Sequence, residues 1–386
     1  MERLQSTVST NSLRPFLLAT TIGLISAMVV PLSAYAEGKQ ASLQAAMEAY
    51  KLLSADGTKP GADNTRVHIM PTASGRTNVA PRILNRSNFY GFDPAKQSIA
   101  PGIAAPGNEP GAVAAAFPAP VAWNPDNLIN NGGYCGTYGC NTYGVATATI
   151  TDIFVNCTGD QCWGSGVSGN IFAYQNALNA SNFINITNQY VQDTATNRYP
   201  LDGTFWYYSG VTGPVPSGFT NQVLTDGYIQ GLVTGAVNAD GGKQGYNEIY
   251  HVFIPNGMDV CFDSTYSVCY SPDNWNAFYF CGYHGSFDTG TGHVLYTVEP
   301  YDNVGGCVAS GMRKVDAQVS VLSHETFETI TDPDPNTQWF EPSGSSYGEI
   351  GDYCAWHIFH FALTTGNAFN TQLEYDNHKN ACTAVP

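Results

Sequence analysis

Positive charge is scarce in this chain: 15 Lys and Arg stand against 31 Asp and Glu in 386 residues. What there is gathers near the front. Residues 37–100 hold eight basic and five acidic residues, whereas residues 101–386 hold five basic and 25 acidic ones. A body this acidic repels phosphate backbones, so nucleic acid is excluded as a partner. C-x2-C pairs are also missing, which argues against zinc-binding thiolates. After Val30 no apolar run of comparable length appears, so no later segment reads as a membrane span. No fixed-period repeat is visible, which disfavours solenoids and propellers.

What is present begins with an export signal. Arg14 precedes an apolar run from Phe16 to Val30, and Ala34 and Ala36 offer the small residues of a cleavage site before Glu37. Residues 1–36 therefore read as a bacterial-style signal peptide and the product as secreted, extracellular or periplasmic. All ten cysteines lie beyond that site. An even number in an exported chain reads as disulfides, with Cys157 to Cys162 and Cys261 to Cys269 as plausible short loops. Ser42–Leu53 suits a short helix, and Ser98–Pro125 is a Pro/Gly/Ala linker with almost no charge. We place a boundary near Pro120: residues 37–120 read as a tether or propeptide, and residues 121–386 as the main domain.

Within that domain, Thr147–Cys157, Gly203–Val211, Glu248–Pro255, Asn276–His284 and His293–Tyr301 are rich in β-branched and aromatic residues, and read as strands. Val223, Leu224, Ile229, Leu232, Val233 and Val237 recur at helical spacing. The order predicts an α+β domain with a mixed or antiparallel sheet, stabilised by disulfides. In the run Phe205, Trp206, Tyr207 and Tyr208, strand alternation favours core packing over stacking on sugars.

The chemistry concentrates in "SHETFETITDPDP". Asp316 is a fair N-cap for a helix that Asp332-Pro333 should stop. Val319, Leu322, Phe327 and Ile330 share one face of it, and His324 and Glu328 the opposite one. The pattern resembles the zincin helix H-E-x-x-H with glutamate at the last position. Groups at i and i+4 can reach one ion, which makes His324 and Glu328 candidate metal ligands and Glu325 the candidate base beside them. A third ligand must come from elsewhere. Asp334 stands ten residues after His324, where some zinc peptidases place it, but Thr331 and Pro333 replace the turn that requires. Glu349 in "GEIGDYC", 25 residues on, is preferred, with Asp352 set to accept a hydrogen bond from the free nitrogen of His324. His284, beside glycines at an expected strand end, is a reserve ligand, while His251 reads as a satisfied core histidine. Zinc is the expected ion, although one imidazole with two carboxylates suits other divalent metals too.

The stretches "EIYHVFIPNGMDVCF", "FYFCGYHGSF", "VSVLSHETFETITDP", "GEIGDYC" and "FNTQLEYDNHKNACTAVP" resemble the EXORDIUM or phosphate-induced family of plants and its bacterial relatives. The resemblance runs from about Glu248 to the C-terminus. It implies a secreted protein and supports His284, His324, Glu325, Glu328, Glu349 and Asp352 as motif positions, and it weakens Asp334. Asp332, commonly Asn there, and the long Pro/Ala front segment depart from the plant pattern. Known plant members are growth-associated extracellular proteins without an agreed reaction. Two functions follow as expectations. One is a secreted zinc peptidase acting on protein or peptide through a metal-activated water; the other is a non-enzymatic extracellular or cell-surface protein that binds a carbohydrate or wall ligand, its H-E-x-x-E site structural.

Overall fold

The computed structural model describes residues 66–71, 121–122, 127–156, 167–202, 205–262, 264–302, 304–308, 312–341, 348–362 and 368–386. The signal peptide, the helix over Ser42–Leu53, nearly all of the linker and the Cys157–Cys162 pair lie outside the described residues.

Six strands form the main sheet. We label them β1 (Arg66–Pro71), β2 (Thr149–Val155), β3 (Trp206–Tyr208), β5 (Glu248–Phe253), β7 (Phe280–Asp288) and β8 (His293–Glu299). Between them in sequence, β4 (Gln222–Thr225) and β6 (Met258–Cys261) pair in a smaller sheet. The main order is β1-β7-β8-β5-β2-β3. Strands β8, β5, β2 and β3 run parallel, and β7 is antiparallel to both of its neighbours. The expected mixed sheet is present. Every residue of β5 and β8 is buried, because helices cover both faces of parallel strands and no solvent side remains.

Three helices pack on this sheet: α1 (Val167–Asn179), α2 (Asp226–Ala239) and α3 (Lys314–Thr331). The apolar residues of the sheet divide by strand parity. Tyr250, Val252, Tyr296 and Val298 join Leu232 and Val233 of α2, whereas Ile249, Phe253 and Leu295 join Val319, Leu322, Phe327 and Ile330 of α3. Sequence reading assigned α3 one packed face. Instead all of Val315–Thr331 is buried, since β10 (Ala368–Gln372), pairing with β9 (Ile358–Ala362), covers the side away from the main sheet. Asp316 is not the N-cap either. It sits in the first turn and accepts from the backbone N–H and guanidinium of the actual cap, Arg313.

Among the described residues, four disulfides join Cys135 to Cys140, Cys261 to Cys269, Cys281 to Cys307 and Cys354 to Cys382. The last two close loops of 26 and 28 residues, each able to stabilise the fold by about 3 kcal/mol through lost unfolded-state entropy. Cys281 lies on β7 near His284, and Cys354 follows Asp352 in a short turn (Asp352–Cys354). Both bridges therefore brace segments that carry candidate ligands. Among the described residues, no helix is long and apolar enough to cross a membrane.

Candidate metal centre

On the face of the sheet toward α3, cross-strand register lines up His68 (β1), His284 (β7), Thr297 (β8), His251 (β5) and Asp152 (β2) in one polar row. Its inner half is structural. His251 bonds Thr297 Oγ1 at 2.6 Å, Thr297 donates to Glu299 at 2.9 Å, and Gln175 of α1 donates to Asp152 at 2.8 Å. His251 is a core histidine bonded through Nδ1 only, its Nε2 buried without a hydrogen bond, and burial pulls its pKa down to about 3.

Burial also pushes the Asp152 carboxyl up to about 7, with the Gln175 bond opposing. Because the folded value exceeds the unfolded one near 3.8, Asp152 costs stability as pH rises from about 4 through 7, and nothing below that window. Asp152→Asn keeps an oxygen for Gln175 and removes the charge. We expect it to raise the melting temperature at pH 8, by at most about 4 kcal/mol of stability at 1.36 kcal/mol per pH unit. The gain should vanish at pH 4; an equal gain at both pH values in thermal melts contradicts this account.

The outer half of the row faces the middle of α3, and there the chemical groups converge. His324 Nε2 lies 3.0 Å from Glu328 Oε1. His284 Nδ1 stands 3.4 Å from both Glu325 Oε2 and Glu328 Oε2, and its Nε2 is 3.6 Å from Glu349 Oε2. Glu349 Oε1 and Asp352 Oδ2 in turn lie 3.1 and 2.8 Å from the two nitrogens of His68. Two groupings are tight enough to hold an ion, His284–Glu325–Glu328 and His68–Glu328–Asp352, with Glu328 common to both. Local structure makes this approach feasible. A Cβ on Gly351 would come within 2.7 Å of His324 and 2.9 Å of Glu328, so only glycine lets the Glu349–Asp352 segment press against the helix.

His324, Glu325, Glu328, Glu349, Asp352 and His284 are all brought together. Asp334 is not: it accepts from Tyr246, Ser286 and His293 at 2.6 to 2.9 Å in a separate cluster. Three roles differ from expectation. His284 occupies the middle of a strand that continues to Asp288, not its end, and it stands at the centre of the cluster. The remaining nitrogen of His324 faces Gln372 at 3.1 Å, so Gln372 orients it, while Asp352 bonds His68 and the Glu349 amide. His68 itself was missed. Its only signal was a brief apolar alternation, "RVHIM", in a segment that otherwise reads as turns and linker.

Electrostatics separate the carboxyls. Burial drives Glu325 and Glu349 well above the ordinary carboxylate range, reinforced by acids around them. Burial pushes Glu328 the same way, but His324 and His68 outweigh it and hold Glu328 below that range. Burial works to lower His68, and Asp352 and Glu328 override it, raising the imidazole to about 9. The donor set passes a test for fit to a cation. His324 Nε2, His284 Nδ1, His68 Nδ1, Glu328 Oε2 and both carboxyl oxygens of Glu325 and of Glu349 are buried without a well-formed hydrogen bond, although the three imidazole nitrogens stand 3.0 to 3.4 Å from carboxylate oxygens of the cluster. Such atoms each cost free energy unless something else binds them, and they point at one another's space. No protein family, curated protein or solved structure matches the chain.

Proposed function

We propose that the chain is a secreted, zinc-dependent peptidase, a bacterial relative of the EXORDIUM family with a zincin-like helix in α3. The observation that carries this reading is the convergence of buried imidazole and carboxylate groups around Glu328, close enough in two groupings to share one ion. His324, Glu328 and Glu349, the set expected from the sequence, would hold the ion after a local shift of side chains, since the groupings already tight around Glu328 are completed by His284 and Glu325 or by His68 and Asp352. The four disulfides fit an oxidising compartment.

A bound divalent cation supplies Lewis acidity, which makes water acidic and polarises a carbonyl. The remaining work belongs to the chain. Gln372 fixes the ring of His324, and the amide of Asp352 donates to Glu328 Oε1, so the two helix residues are held in orientation. Glu325, whose two oxygens have no hydrogen-bond partner, accepts the proton of the attacking water and passes it to the leaving amine. Full burial keeps bulk water away from these transfers.

Metal analysis tests the reading. The purified chain should bind zinc stoichiometrically, and His324→Ala should lose both zinc and casein hydrolysis. A wild type that binds no divalent metal after dialysis against zinc sinks the proposal.

A further inference from the structure

Strand β1 belongs to the basic front segment, not to the acidic body, yet its His68 reaches Glu349 and Asp352 of the centre. Its six residues pair with the main sheet through β7 alone among the described strands, antiparallel, with His68 directly across from His284, and Val67 and Met70 join the apolar core. That is the geometry by which an extended peptide adds to a sheet edge, and without β1 the strand β7 would itself be that edge.

We propose that the outer edge of β7 is a binding site for an extended peptide, and that Arg66–Pro71 is its intramolecular occupant. In this arrangement His68 fills the place beside Glu349 and Asp352 that a substrate residue takes when β1 is displaced. The inference rests on the peptidase reading and names how that site takes its substrate and is held shut.

Independent features make β7 a receiving edge. Gly285 pairs with Val67, and a Cβ there would lie 2.5 Å from the Arg66 carbonyl oxygen and 2.7 Å from Val67, so the missing side chain is what lets a second strand approach. The incoming strand is held at its start by the Arg66 guanidinium, 4.7 Å from the centre of the Tyr134 ring. Charge favours docking as well, since residues 37–100 have an excess of three basic residues and residues 101–386 an excess of 20 acidic ones. His68 meets the centre with both ring nitrogens while its own strand supplies no other ligand. That is how a removable plug is built, and a tethered plug competes at an effective concentration near the millimolar range.

The test uses the full chain loaded with Co2+, whose visible absorption reports changes in its ligands, and acetohydroxamic acid as a small chelating mimic of a peptide carbonyl. His68→Ala should keep its Co2+ and bind the hydroxamate at least about tenfold more tightly than wild type, because the competitor is gone. Gly285→Ala leaves His68 in place but crowds β1. It should speed hydrogen exchange in residues 66–71 and also admit the hydroxamate. Loss of Co2+ from His68→Ala overturns the proposal, since His68 is then a permanent ligand. Hydroxamate affinity unchanged in His68→Ala, or unchanged in Gly285→Ala despite faster exchange of β1, overturns it too. Casein separates this from the parent reading: hydroxamate admitted without hydrolysis supports the plug and counts against the peptidase.

Discussion

Glu325→Gln should abolish peptide hydrolysis, lowering it by about 10²- to 10⁴-fold, the range typical for loss of a general base, while zinc content stays at the wild-type level. Glutamine has the shape of the glutamate it replaces, and the residues proposed to hold the ion, His324, Glu328 and Glu349, are untouched. What disappears is the only carboxylate of the cluster lying within 3.4 Å of His284 without a hydrogen bond to either of its oxygens. The variant should also be more stable than wild type when metal is removed at pH 8. Burial, with Glu328 and Glu299 nearby, disfavours the charged form of Glu325, and a carboxyl whose folded pKa is raised destabilises the fold above its unfolded pKa. The measurement is zinc per chain beside casein hydrolysis, in the wild-type and His68→Ala backgrounds. Hydrolysis that survives in Glu325→Gln assigns the proton transfer to another group. Zinc lost together with activity makes Glu325 a ligand instead.

Most of this cluster could be read from α3 and one distant segment. An i, i+4 pair is decided by helix geometry alone, so His324 and Glu328 were legible once the helix was. Glu349 was legible from its separation of 25 residues from His324, where a third ligand is expected, and Asp352 from its place three residues further on. His284 was underrated for a physical reason: its neighbouring glycines look like strand breakers. In the fold, Gly282 is where Val321 and Glu325 of α3 approach, and Gly285 is where Val67 does, so both glycines serve close contacts inside a continuous strand. The strands β2, β5 and β8 stood out by β-branched and aromatic content, whereas the stripe of α1, Ile171, Tyr174 and Leu178, is short and interleaved with polar Asn170, Gln175 and Asn176, and it went unread. The pairing of β1 with β7 was beyond reach. Residues more than 200 positions apart meet there, and nothing local to Arg66–Pro71 encodes which edge it joins.

Removing zinc should lower the melting temperature of the wild type by about 10 °C. The argument starts from charge. Glu325, Glu328 and Glu349 are wholly buried and Asp352 is partly so, around three imidazoles, and several of the glutamate oxygens make no hydrogen bond. In the absence of a cation, folding must desolvate these groups and leave them facing one another. An ion that binds the folded chain and not the unfolded one stabilises it by about 4 kcal/mol at a thousand times its dissociation constant. A domain of this size gains about 2 to 4 °C per kcal/mol, which gives the stated shift. Glu328 is the test residue, since it alone belongs to both tight groupings and meets His324, His284 and the Asp352 amide. Glu328→Gln should therefore melt at one temperature with or without zinc. Asp152→Asn, in the inner half of the polar row, should keep the full zinc shift. Imidazole and carboxylate bind a cation only when deprotonated, so the wild-type shift should shrink as pH falls. Paired thermal melts with zinc and with chelator decide the matter: equal temperatures for the wild type refute the centre, and a shift that persists in Glu328→Gln puts the ion elsewhere.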